Sequence, residues 1–121
     1  MTIHRNIASV DATALTAGQG VSMKMLLSPE ESPHFAMRNF TIAAGGSMPL
    51  HTNTVEHEQF VLGGRARVQL GEQIIEAKPG DVLLIPAGVP HSYATLGSEP
   101  YSFLCLVPKA EDRVELIAAA Q

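Results

Sequence analysis

The chain of 121 residues has no tryptophan, a single cysteine, 5% aromatic residues and 17% charged residues. Each shortage excludes something. With Cys105 alone no internal disulfide can form, and a reducing, cytoplasmic setting is the expectation. No lysine- or arginine-rich run occurs and the formal net charge is -4, so nucleic acid is not an expected partner. The longest apolar runs are about five residues, far short of the roughly 20 that a membrane-spanning helix needs, and no membrane partner is expected. The opening MTIHRNIASVDATAL lacks the sustained apolar core of a secretory signal. There is no nucleophile elbow, dinucleotide-binding fingerprint or zinc-protease signature, so serine hydrolysis has no support. Repeats, low-complexity stretches and linkers are also missing, and residues 1–121 read as one domain.

What is present is punctuation. Ten glycines and eight prolines separate short apolar segments, at about the 8–12 residue spacing of an all-β sandwich or barrel. The segments are 35–43, 59–62, 65–70, 73–77, 82–85, 91–96 and 101–107. Gly45-Gly46 is expected to close the first, and Gly63-Gly64 to make a hairpin between the second and third. The run 82–85, Val-Leu-Leu-Ile, is apolar throughout, as a strand buried on both faces would be. Residues 110–120 have a helical pattern, with Val114, Leu116 and Ile117 among alanines and charges. The expectation is therefore an all-β barrel with a short C-terminal helix; the first 25 or so residues show no clear pattern.

Three histidines sit within two such punctuated blocks. The first block, GGSMPLHTNTVEHEQFVLGG, spans 45–64 and holds His51 and His57; the second, GDVLLIPAGVPH, spans 80–91 and ends on His91. Neutral imidazole is the commonest protein ligand for a catalytic transition metal, and three of them leave coordination positions free for a substrate. Strand alternation places His51 and Asn53 on one face.

These blocks resemble the two motifs of the cupins, small double-stranded β-helix (jelly-roll) barrels. Gly45, His51, Asn53, His57 and Gly64 fall at the intervals of the first motif, and Gly80, Pro86, Gly88, His91 and Thr95 at those of the second. Three identities depart: Asn53 stands for the motif's second histidine, His57 for its glutamate and Thr95 for its closing asparagine. A histidine at position 57, with the surrounding MRNFTIAAGG, EHEQFVLGG and FLCLVPK, is similar to a subgroup of single-domain bacterial cupins with an all-histidine, manganese-binding site. The resemblance covers a barrel core of about 35–109.

The resemblance implies one divalent transition metal, manganese or iron before zinc, nickel or copper, held by His51, His57 and His91. Asn53 can ligate weakly, hydrogen-bond a bound water or leave its position vacant. Substrate-pocket candidates are Arg38, Met48, Gln59, Tyr93, Phe103, Cys105 and Val107. Arg38 can fork onto a ligand carboxylate from the cavity or lie on the outer face; Tyr93 can line the mouth or fill core. Cys105 can face substrate or be an inert core thiol, and Gln59 can bond a metal-bound water or simply pack. Glu56 and Glu58 read as solvated or as orienters of an imidazole; His4 and His34 read as surface residues. The implied function is a metal-dependent oxygenase (dioxygenase-like oxidoreductase) acting on a small oxygen-rich molecule. The alternatives are a non-catalytic ligand- or metal-sensing barrel and a metal-assisted isomerase. A homodimer is expected, since an open barrel has strand edges to protect.

Overall fold

The computed structural model describes residues 1–117. A 3-10 turn at Ile7–Ser9 precedes ten strands. They are β1 (Thr13–Ala14), β2 (Gln19–Leu27), β3 (Phe35–Asn53), β4 (His57–Gly63), β5 (Arg65–Leu70), β6 (Gln73–Ala77), β7 (Val82–Ile85), β8 (His91–Leu96), β9 (Tyr101–Pro108) and β10 (Val114–Leu116). Every pairing is antiparallel.

The 19-residue β3 organises the barrel. Its first half lies between β2 and β9, with Phe40 opposite Met23 and Phe103. Its second half lies between β8 and β10, with His51 opposite His91 and Leu116. One strand thus belongs to both walls, and the turn from one to the other falls at Gly45-Gly46. Gly45 has φ +77°, and a Cβ on Gly46 would stand 2.5 Å from the Gln19 carbonyl oxygen. A side chain would be strained by the backbone angle at Gly45, where it has open space, and would clash at Gly46. The two glycines therefore do not end the strand, as their sequence suggests; they bend it.

Alternation does the rest. On β4 and β9 every second side chain is buried, and these meet in a core that includes Ile42, Val61, Val68, Tyr101 and Phe103. Each such side chain contributes about 1.5–3 kcal/mol when fully buried. Phe103 stacks on Phe40 and Tyr93 at 5.5 and 5.4 Å, which fixes the rings as well as burying them.

Three expectations are corrected. Gly63-Gly64 makes no hairpin: β4 pairs with β7 and β9, whereas β5 pairs with β6 and β8, so the glycines carry the chain between walls. β7, at the edge of the sheet, is buried on one face only, with Val82 75% and Leu84 58% exposed, because no described element packs over its outer face. The C-terminal helix is not formed over 110–117. Instead β10 pairs with the open edge of β3, where ladder hydrogen bonds outweigh the weak helix preference of so short a segment; residues 118–120 of the expected helix lie outside the described residues. No helix among the described residues is long and apolar enough to cross a membrane.

Candidate functional site

His51 and His91 face each other across the β3–β8 ladder, with ring centroids 4.1 Å apart. His91 begins β8 directly after the Pro86–Pro90 turn, which is pinned where the Gly88 amide donates to the Asn53 carbonyl at 2.9 Å. Each ring has the same tether: Nδ1 lies 2.8 Å from the Pro49 carbonyl in His51 and 2.9 Å from the Val89 carbonyl in His91. A carbonyl only accepts, so each Nδ1 carries a proton, and the neutral form of either ring has its lone pair on Nε2. Burial holds the pKa of His91 down to about 4, which leaves it neutral near pH 7.

His57 opens β4 and has other partners. Its Nε2 donates to Asp112 Oδ2 at 3.0 Å, and its Nδ1 lies 3.4 Å from Cys105 Sγ, accepting from the thiol. Burial lowers its pKa, with the Asp112 hydrogen bond opposing. Among the described residues no three histidine, cysteine, aspartate or glutamate side chains are grouped as they stand so as to hold a metal ion. His51, Asn53, His57, His91 and Asp112 nevertheless all line one cavity.

Below them, three neighbouring strands set Arg38 opposite Cys105 and Cys105 opposite Gln59. Arg38 Nη2 donates toward Cys105 Sγ at 3.5 Å, and its guanidinium carbon sits 4.9 Å above the Phe40 ring. Gln59 Nε2 donates to the Tyr93 hydroxyl at 2.8 Å. Burial pushes up both the Tyr93 phenol and the Cys105 thiol, so both keep their protons. Phe40, Met48, Phe103 and Leu15 supply apolar walls to a cavity of about 160 Å³, room for a small molecule and not for a polymer. Arg38 Nε, Asn53 Oδ1 and Gln59 Oε1 are buried without a hydrogen-bond partner, and all three residues line this cavity. Buried polar atoms are rarely left so, and a cluster of them in one cavity marks a place for a ligand.

Of the residues expected from sequence, His51, Asn53, His57, His91, Arg38, Met48, Gln59, Tyr93, Phe103 and Cys105 come together here. Val107 does not: it lies opposite Ala36, packed into the core away from this cavity. Glu56 and Glu58 are exposed, the neighbouring Glu58 raises the pKa of Glu56, and neither orients an imidazole. His4 and His34 are exposed as expected. Asp112 was missed, together with Val114 and Leu116 beside it on the cavity wall. No spacing rule marks a lone aspartate 55 positions after His57; only the tertiary fold brings it in.

Comparison with known proteins agrees with this fold. The chain is 28% identical over 80 residues to 1-methylthio-D-xylulose 5-phosphate methylsulfurylase of Rhodospirillum rubrum, an alignment covering 66% of this chain and 51% of that one. The chain spans about half the length of the curated relatives it matches. Among solved structures it is similar to the polyketide cyclase RemF from Streptomyces resistomycificus, with a TM-score of 0.89 and 25% identity over 100% of this chain and 89% of that one. It is also similar to a cupin 2 domain-containing protein from Halorhodospira halophila, with a TM-score of 0.76 and 30% identity over 83% of this chain and 72% of that one. The Cupin_2 family model, described as the cupin domain, matches residues 38–107, the stretch that carries both histidine blocks and the strands between them. By that match over more than half its length, this chain belongs to the cupin family.

Proposed function

We propose that the cavity is the active site of a metal-dependent enzyme that oxidises a small, oxygen-rich organic molecule with O2, a dioxygenase-like oxidoreductase. The observation that carries this is the preparation of His51 and His91: two buried imidazoles, each tethered through Nδ1, each offering Nε2. That is the form in which proteins ligate Mn, Fe, Zn, Ni or Cu, with the tether playing the usual outer-sphere part. The same cavity is also lined by a third imidazole, a carboxylate and the unpartnered amide oxygens of Asn53 and Gln59. A bound divalent metal, manganese or iron by preference, would polarise the substrate's oxygens as a Lewis acid.

The chain's own residues do the rest. Arg38, with Nε unpartnered, is placed to take a carboxylate or enolate oxygen of the substrate. Phe40, Met48, Phe103 and Tyr93 keep water out, which strengthens each electrostatic contact inside. His57 holds a proton on Nε2 against Asp112 and exposes Nδ1 to the Cys105 thiol. The reduced, buried state of Cys105 suits a cytoplasmic setting.

A second reading is favoured by the likeness to RemF over the whole chain: the same site polarising a carbonyl for cyclisation or isomerisation, with no O2 consumed. One experiment separates the readings. Protein purified without chelator is assayed for bound metal, and O2 uptake is followed with diketones, phenols and thiols. The proposal expects near-stoichiometric metal, its loss in His51→Ala and His91→Ala, and O2 uptake with at least one substrate class. Substrate turnover without O2 uptake selects the cyclase-type reading, and bound metal with no turnover leaves a binding module. Wild-type protein that takes up no Mn, Fe, Zn, Ni or Cu sinks the metal reading altogether.

A further inference from the structure

Asp112 arrives from outside both histidine blocks, on the strap that leads from β9 into β10. The strap is held at one point with unusual completeness: the Thr54 amide donates to the Arg113 carbonyl and to Asp112 Oδ1, each at 3.2 Å. The Thr54 hydroxyl donates to the Glu111 carbonyl at 3.0 Å and accepts from the Arg113 amide at 2.7 Å. These bonds turn the Asp112 carboxylate inward, where its side chain is 19% exposed.

Once there, it lacks a counter-ion. No lysine or arginine among the described residues comes within 4.0 Å of its oxygens; its partners are His57, the Thr54 amide and, at 3.5 Å, Asn53 Nδ2. A partly buried carboxylate whose partners are all neutral donors is open to a cation. Asn53 adds a second, independent sign. Its amide turns Nδ2 toward the carboxylate, and this leaves Oδ1 buried, unpartnered and on the same cavity wall. The 3.0 Å between His57 Nε2 and Asp112 Oδ2 is a hydrogen bond, which a bound ion would replace by taking both atoms as ligands.

We propose that Asp112 is an acidic ligand of the metal site, delivered by the C-terminal strap, with Asn53 Oδ1 as its neighbouring neutral oxygen donor. This rests on the metal reading above. Hard oxygen donors at this corner bias the site toward Mn2+ over softer ions, and they couple ion binding to docking of the strap, whose β10 is exposed along its length.

The test uses the full chain stripped of metal and titrated with MnCl2. Free Mn2+ is read by electron paramagnetic resonance, and amide hydrogen exchange is followed over residues 108–117. Wild type is expected to bind Mn2+ and to gain protection on the strap. Asp112→Asn keeps a partner for His57 but removes the charge, and should weaken binding by roughly 100-fold, at or beyond the upper end of what an outer-sphere orienter contributes. Glu111→Gln, an exposed neighbour, should bind as wild type does. Asp112→Cys loaded with Co2+ should gain a thiolate charge-transfer band that the wild type, with Cys105 in place, lacks. Unchanged Mn2+ affinity in Asp112→Asn, or no new band in Asp112→Cys, overturns the assignment while leaving the metal reading intact. A wild type that binds no metal instead removes the reading beneath it.

Discussion

His91 is 1% exposed and kept neutral by burial, which ties the metal-free protein's stability to pH. Its pKa falls from an ordinary value of 6.5 when unfolded to about 4 when folded. Above 6.5 both states are neutral at this ring and it adds no pH dependence. Between 6.5 and 4 the unfolded chain binds the proton and the folded one does not, so stability falls as pH falls; below 4 the loss levels off. The full span corresponds to about 3 kcal/mol. Urea unfolding of the metal-free chain from pH 7.5 to 4 should show this decline, and His91→Asn should flatten it; a profile unchanged by the substitution would mean the ring is not held neutral. At this scale the sequence was a good guide to the imidazoles, since motif spacing reports positions along strands whose register the fold preserves. It was a poor guide to Asp112, because that carboxylate reaches His57 only through Thr54 and the strap, contacts that local patterning does not encode.

Elements were legible where alternation and turn chemistry acted alone: β5, β6, β7 and β8 have the boundaries expected from sequence. They were less so where a tertiary demand changed the meaning of a residue. Gly45-Gly46 reads as a stop but bends β3 between walls, and Gly63-Gly64 reads as a hairpin but links two walls. β2 was not recognised, because in its sequence QGVSMKMLL only Val21 and Leu26 are buried and the alternation is faint. Gly64 makes the demand measurable. It has φ +73°, and a Cβ there would lie 2.1 Å from the Pro100 carbonyl oxygen, a backbone atom that cannot turn aside. Gly80 has φ +91° but meets nothing within 4 Å. Gly80→Ala should therefore cost only the conformational penalty, about 1 kcal/mol. Gly64→Ala adds a steric clash and should cost more than about 2 kcal/mol. Urea midpoints at unchanged m-value compare them; equal costs would show that the strand corner yields easily and that packing against Pro100 is not what requires the glycine.

For the whole molecule, the outer face of one wall is the unfinished surface. Phe60 lies opposite Val82 on one side and Leu104 on the other, and Glu58 lies between Leu84 and Leu106. Phe35, Phe60, Leu62, Val82 and Leu84 are 42–75% exposed. Together these five make an outward apolar patch of the kind that marks an interaction site. An antiparallel face can also be self-complementary under a two-fold axis, since sheets pack face to face with aligned strands. We propose this face, and not the strand edges at β6 and β7, as the contact of the expected homodimer. Phe60→Lys places a charge at the centre of the patch without touching the core, because Phe60 is 44% exposed and points outward. Sedimentation at micromolar concentration should give a dimer for wild type, a monomer for Phe60→Lys, and a dimer for Ile74→Lys, whose site is 54% exposed on the far edge strand. Wild type sedimenting as a monomer would leave the face without a second copy to cover it, and the apolar residues of β4 and β7 would then need a different partner.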